Sequence, residues 1–276
     1  MRPTLIALLD RSWLHSLAAL VPTSGAVYVA VLFGLGIMLW RRAREAHLAT
    51  HHAVDLCIVG GLSAVICARA YYLLVSGDMV RLPVRDWFSA SGTASWGAYI
   101  GVVLGVGGYT AARRLPTLVW FDLLATLQPI GEVVGRWACW LAGDDFGRVT
   151  HVPWAIQFPA GSYAWNAHVD SGLIGSDAAW SLPVHPEQFY LMANALAVFL
   201  IISAVWRRMR DRPGFTLATY LVLYGASRFD WEFFRDPAAG GAATGLSSSQ
   251  WMCVVYVVVG CVLLLIRRRQ EQGLHA

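Results

Sequence analysis

Apolar residues run almost unbroken for the width of a bilayer at several places in this chain, and polar residues gather in groups between the runs. A helix needs roughly 20 mostly apolar residues to cross the hydrocarbon core. The pattern predicts seven such spans, at 22–40, 54–75, 96–112, 116–142, 186–206, 214–231 and 249–266. The predicted fold is all-α: a polytopic membrane helical bundle of about seven transmembrane helices, forming a single integral membrane domain over 1–276. Longer polar stretches fall at about 76–95, 143–185 and 232–248. The middle stretch is the largest and mixes Gly, Pro, Asp, His and Trp, and a loop of that length in a compact protein is more often functional than idle.

Composition agrees with the pattern, and charge adds an orientation. The chain is 57% hydrophobic and only 14% charged, whereas soluble domains carry about 25% charged residues. Positive charge is carried by arginine alone, because the sequence holds no lysine. Arg41, Arg42 and Arg44 follow the first span, Arg113 and Arg114 the third, Arg207, Arg208, Arg210 and Arg212 the fifth, and Arg267, Arg268 and Arg269 the seventh. Basic clusters mark cytoplasmic ends. The N-terminus is therefore expected outside and the C-terminus inside, with 143–185 as a large extracytoplasmic loop. Trp40, Trp120, Trp206 and Trp251 fall near span ends, as interfacial anchors do.

Several classes are set aside on the same grounds. A net charge of +4 with no basic stripe interleaved with aromatics is not the footprint of a nucleic-acid binder. Cys57, Cys67, Cys139, Cys253 and Cys261 lie mostly in apolar runs without C-x-x-C spacing, and read as small core residues. Asp10, Arg11 and His15 interrupt the short apolar stretch after Arg2, so no cleaved signal peptide is expected. The halves show no repeat, which argues against an inverted-repeat transporter.

Ionisable residues inside spans are costly in lipid and mark functional candidates. On the fourth span Asp122, Pro129, Glu132 and Arg136 share one helical face, and Glu132 and Arg136 can pair at i, i+4. On the sixth, the stretch YGASRFDWEFFR puts Arg228, Glu232 and Arg235 on one stripe, with the glutamate between two arginines. Such pairs can simply fix helix packing. Two arginine-bearing stripes in one small bundle also suit an anionic ligand, because a guanidinium stays charged and offers a planar fork to phosphate. In a membrane the plentiful anion is a phospholipid. The segment GRWACWLAGDDFGR, Gly135 to Arg148, adds glycines that either let backbone approach a ligand or only turn the chain at the surface. His185 in VHPEQFY, just ahead of Gln188 and Tyr190, reads as a capping or interfacial group rather than a catalyst.

These patches together resemble the bacterial prolipoprotein diacylglyceryl transferases. GRWACWLAGDDFGR resembles that family's G-R-x-G-N-F-x-N-G-E-x-x-G-R, with Arg136, Gly143, Gly147 and Arg148 falling directly on it. VHPEQFY is similar to H-P-x-Q-L-Y, and YGASRFDWEFFRDP to Y-G-x-x-R-F-x-x-E-F-x-R-x-P. DLCIVGGLSAVICARAYYLL, with Arg69 and Tyr72 near its end, resembles the family's second span. The resemblance implies transfer of a diacylglyceryl group from phosphatidylglycerol, or a related anionic phospholipid, to the cysteine thiol of a lipoprotein signal peptide. A thioether forms and glycerol phosphate leaves, in the bacterial cytoplasmic (inner) membrane, with no metal or organic cofactor implied. It puts Arg136 and Arg228 in the catalytic role, stabilising charge on the departing phosphate. It puts Arg69, Gly97, Asp144, Gly147, Arg148, His185, Gln188, Glu232 and Arg235 around the substrate; Glu232 would hold Arg228 and Arg235, and Asp144 stands where the family has glutamate.

The chain also departs from the family pattern. Ala94–Ser95–Trp96–Gly97–Ala98 occupies the setting of S-F-H-G-G, so Trp96 stands where a histidine is expected, and it cannot accept a proton as imidazole does. Cys139 and Ala142 replace the signature's two asparagines, and Ser24 replaces a tyrosine near the start of the first span. Two further readings stay open: a related enzyme with another acceptor, and a non-catalytic anionic-lipid-binding or transport protein on the same bundle.

Overall fold

A computed structural model of the chain describes residues 24–76, 95–241 and 245–274. The residues before 24, on which the signal-peptide expectation rests, and most of the 76–95 stretch lie outside the described residues. Among the described residues, eight α-helices follow in order: α1 Ser24–Glu45, α2 His51–Ser76, α3 Ser95–Ala112, α4 Thr117–Ala142, α5 Tyr163–Asp170, α6 Glu187–Met209, α7 Phe215–Trp231 and α8 Ser248–Leu274. Each predicted span overlaps one of these helices over its described residues. Among the described residues, four regions, His51–Ser76, Thr117–Ala142, Glu187–Met209 and Ser248–Gln272, are long and apolar enough to cross a membrane. No named β-strand occurs among the described residues.

Two helix ends differ from the apolar pattern in an instructive way. α1 continues through Arg41, Arg42 and Arg44, and α8 through Arg267, Arg268 and Arg269. The apolar run marks where lipid would begin, whereas the i to i−4 ladder continues into the polar zone because arginine is a good helix former. α1 and α3 stop at left-handed residues, His47 at φ 55° and Arg114 at φ 54°. There Leu48 N bonds Ala43 O and Leu115 N bonds Thr110 O, the closing bonds of Schellman turns.

The described residues form two compact units, one within 36–124 and one built from 24–35 together with those from 125 onward. Within 36–124, α2 lies along α3. Gly97, Gly101 and Gly105 recur every fourth position on α3, and a Cβ at any of them would strike Cys67, Ser63 or Ala64 of α2. Small residues at helical spacing let two backbones approach, which is how apolar helices gain packing where lipid removes any hydrophobic drive between them. At one end of this unit the Tyr109 hydroxyl donates to Asp55 and lies 2.8 Å from His52 Nδ1.

In the other unit α7 packs on α6 and α8. Ala125, Val198, Ile202, Tyr220 and Tyr224 form a buried cluster there. Gly225 and Gly260 sit where a Cβ would come within 2.8 Å of the Cys253 and Ala218 carbonyls. The 143–185 stretch has structure of its own. Phe146, Phe158, Ala164 and Val184 make a small buried core, and Val184 bridges antiparallel to Val149 and Ile156. α5 is started by Ser162, whose Oγ accepts from Trp165 N at 3.3 Å.

Candidate active site

The site begins at the C-terminus of α4. Glu132 and Arg136 are four residues apart on this helix, and Glu132 Oε1 lies 3.4 Å from both Nε and Nη2 of Arg136. The helix then closes in a Schellman turn: Asp144 N bonds Cys139 O at 2.9 Å and Gly143 N bonds Trp140 O at 3.1 Å. Gly143 is the left-handed residue of that turn, at φ 68°, and a Cβ there would also meet Ser162 Cβ at 2.8 Å. Two residues on, Asp145 is left-handed as well, at φ 51°. Aspartate is among the few side chains that accept this conformation, and here it turns the carboxylate back toward Arg136, 2.5 Å from Nη1.

From there the chain threads between two other segments. Gly147 N donates to His185 O at 3.1 Å, His185 N to Arg148 O at 3.0 Å, and Arg148 N to Phe234 O at 2.8 Å. A Cβ on Gly147 would lie 2.6 Å from both Cβ and O of His185, and 2.9 Å from Phe234 O. Only glycine lets the backbones come this close. The GDDFGR, VHPEQFY and WEFFR segments, far apart in sequence, meet at this crossing.

The crossing joins the Glu132–Arg136 pair of α4 to Arg228 of α7 and to Glu232 and Arg235, which lie past the end of α7 in a 3-10 turn and the extended residue after it rather than on the same helix as the sequence predicts. Asp145 pairs with Arg136 on one side and with Arg235 on the other. Arg235 Nη1 lies 3.5 Å from Glu232 Oε1, and Glu232 Oε2 lies 2.5 Å from Arg228 Nη2. Arg228 Nη1 in turn lies 3.9 Å from Glu187 Oε1, on the first turn of α6. Three guanidiniums thus alternate with four carboxylates, in the order Glu132, Arg136, Asp145, Arg235, Glu232, Arg228, Glu187. Alternation of sign holds each arginine in a fixed geometry, and a buried guanidinium needs such neighbours. Ser247 Oγ, just ahead of α8, donates to Glu232 Oε1 at 2.8 Å and so fixes the Glu232 carboxylate.

The two aspartates of the turn are electrostatically distinct. Burial pushes the Asp145 carboxyl up, but Arg136 and Arg235 outweigh it and hold the group below the usual carboxylate range. Asp144 moves the other way: burial and then the neighbouring Asp145 charge raise it. Its Oδ1 accepts from Asp145 N at 2.7 Å and its backbone carbonyl accepts from Gln188 Nε2 at 2.6 Å.

The remaining sequence-predicted residues take varied positions. His185 is half-buried, with Nδ1 3.2 Å from the Tyr190 hydroxyl and its ring against Phe234, and burial lowers its pKa. Its ring neighbours are Tyr190 and Phe234. Arg148 is exposed and its Nε donates to Phe233 O at 3.1 Å, bracing the turn after α7. Arg69 and Gly97 belong to the 36–124 unit, where Arg69 lies over the Tyr72 ring at 5.5 Å and Gly97 serves the crossing of α3 with α2. Trp96 stands half-buried in the first turn of α3.

Two residues of the network were not singled out by sequence. Asp145, not Asp144, supplies the carboxylate that bridges Arg136 and Arg235, and Glu187 reaches Arg228 from α6. A repeated aspartate gives no sign of which copy turns inward. A glutamate after Pro186 reads as an ordinary helix-start residue.

Comparison with known proteins agrees with the geometry. The profile of the prolipoprotein diacylglyceryl transferase family matches residues 24–266. A phosphatidylglycerol–prolipoprotein diacylglyceryl transferase of Paracidovorax citrulli is 31% identical, covering 89% of this chain and 91% of its own length. Enzymes of the same name from Rhodospirillum rubrum and Cupriavidus metallidurans are each 28% identical, over 84% and 91% of this chain and 82% and 91% of their own lengths. The matched range takes in the α4 turn, the α6 start and the α7 stripe that meet at the ionic network, and the chain belongs to the prolipoprotein diacylglyceryl transferase family.

Proposed function

We propose that this chain is a bacterial inner-membrane enzyme that moves a diacylglyceryl group from phosphatidylglycerol to the lipobox cysteine thiol of a prolipoprotein. The thiol sulfur bonds to the glyceryl carbon, the carbon–oxygen bond breaks toward phosphorus, and glycerol phosphate leaves; the thiol proton is released to a base or to the departing phosphate. The observation that carries this reading is the network joining Arg136 and Arg228 through Asp145, Arg235 and Glu232. Arginines fixed before the reaction act on charge as it develops on the leaving phosphate, and fixed dipoles need no reorganisation at that moment. Glu232, Arg235 and Asp145 position the two catalytic arginines. Asp144, Gly147, Arg148, His185 and Gln188 take the substrate-binding role, and the family resemblance extends that role to Arg69 and Gly97.

The arrangement in the membrane is seven spans with the N-terminus outside, because the arginine clusters follow every odd-numbered span. The site then lies toward the outer leaflet, where a translocated signal peptide arrives. The decisive assay incubates the purified protein with phosphatidylglycerol vesicles and a lipobox peptide and follows products by mass spectrometry. A peptide gaining a diacylglyceryl thioether, together with glycerol phosphate, is the expected result. Consumption of phosphatidylglycerol without peptide modification would favour a second reading, in which another thiol, amine or hydroxyl is the acceptor. Trp96, in place of the family's histidine, is the observation behind that alternative.

A further inference from the structure

Glu187 is fully buried, at 0% exposure, and among the described residues neither carboxylate oxygen has a hydrogen-bond partner. Its nearest cation is Arg228, whose Nη1, 3.9 Å away, also has no hydrogen-bond partner. The neighbouring Gln188 is equally buried; its Nε2 is committed to the Asp144 carbonyl, while Oε1 is open. Buried polar atoms without partners are rare and costly, so several at one place point to a ligand that completes them. Around Glu187 the open set is Arg228 Nη1 beside the Glu187 and Gln188 acceptors, and Arg235 Nε is open elsewhere in the same network.

The chemistry of that set narrows the ligand. A phosphate oxygen received by Arg228 Nη1 would come close to the Glu187 carboxylate, and two anions at such a distance repel strongly in a buried setting. A donor between them relieves the repulsion. Phosphatidylglycerol carries one: the hydroxyls of its terminal glycerol lie a few bonds from the phosphate. A phosphodiester without hydroxyls offers none.

We infer that Glu187 selects the lipid head group, accepting a glycerol hydroxyl while the adjacent Arg228 receives the phosphate, with Gln188 Oε1 as a further acceptor. This rests on the lipid-donor reading above. It makes Glu187 a specificity-determining residue that touches the part of the donor leaving as glycerol phosphate, not the reacting carbon.

The test compares phosphatidylglycerol with phosphatidylmethanol, which has the same phosphodiester charge and no hydroxyl, and with phosphatidylethanolamine. Binding to the full-length protein in detergent is measured by native mass spectrometry, so it needs no turnover. Transfer to a lipobox peptide is measured beside it. The wild type should prefer phosphatidylglycerol over phosphatidylmethanol by roughly tenfold, the scale of one hydrogen bond to a charged acceptor. Glu187→Ala should compress that ratio to about twofold. A ratio is required because removing a carboxylate beside Arg228 strengthens binding of every anionic lipid. Glu187→Gln keeps the side-chain shape and one acceptor and should fall between; if Glu187→Ala fails to fold, this variant still decides. An unchanged ratio in the folded variants overturns the inference, as does a wild-type preference for phosphatidylethanolamine that Glu187→Ala abolishes. Selective phosphatidylglycerol binding without transfer would sink the transferase reading and leave the role of Glu187 standing.

Discussion

Asp145 offers the sharpest test of the ionic network, because one substitution removes its central negative charge and leaves the backbone demand unchanged. Asparagine tolerates the left-handed conformation as aspartate does, so Asp145→Asn isolates the charge from the φ of 51°. Leaving one member of a buried pair uncompensated costs about 3–5 kcal/mol. The Asp145 side chain is 15% exposed and Arg136 and Arg235 are 18% and 14% exposed, so the lower end applies, about 3 kcal/mol. Asp144→Asn is the matched control. Burial and the Asp145 charge already disfavour its ionised form, so neutralising it removes a penalty and should change stability by no more than about 1 kcal/mol. Both variants would be unfolded in detergent across pH and compared with the wild type. The Asp145 carboxyl is held below its ordinary value, so its contribution is fully present above the usual carboxylate range, near pKa 3.9, and is lost as pH falls through the lowered folded value. The gap to Asp145→Asn should therefore be flat through neutral pH and close only in acid. Equal costs for the two variants, or a gap that widens on acidification, would refute the assignment of Asp145 as the bridge.

Arg228→Lys should lower transfer on the order of a hundredfold while leaving the protein folded, since a point charge cannot replace a fork held by Glu232; near-wild-type turnover would remove Arg228 from the catalytic role. Activity should rise with pH across the thiol range, near pKa 8.5, because Trp96 leaves no imidazole where the family has one, and His185→Ala should retain substantial activity with the same profile. A bell-shaped profile near pH 6.5 that disappears in His185→Ala would instead make that histidine the base. Gly147→Ala should destabilise by about 3 kcal/mol or fail to accumulate, because its Cβ would meet backbone and Cβ atoms of His185 at 2.6 Å with no flexible tip to move; a wild-type unfolding midpoint would show that the crossing opens easily. Reporter fusions at Glu45, Arg113, Ala160, Arg210 and Gln272 should put Ala160 outside and the other four inside; a cytoplasmic Ala160 would invert the topology.

The helices were legible in the sequence because a bilayer-length apolar run has few other uses: each predicted span overlaps a described helix, and four of the described helices are long and apolar enough to cross a membrane. Ion pairs within one helix were legible for the same kind of reason. The 3.6-residue period puts Glu132 beside Arg136 and Arg228 beside Glu232 whatever surrounds them. Contacts between helices were not. Which aspartate of the Gly143–Asp144–Asp145 turn faces inward depends on a Schellman closure followed by a left-handed residue, and on Arg235 arriving from 90 residues further along the chain. The burial of Glu187 could not be read from its position after Pro186, where a carboxylate at a helix start ordinarily faces water; it follows from α6 beginning beside Arg228 of α7. Local periodicity fixes what shares a helix face. Only the crossing of the Gly147, His185 and Phe234 backbones decides which faces meet, because that approach depends on the absence of a side chain at a single glycine.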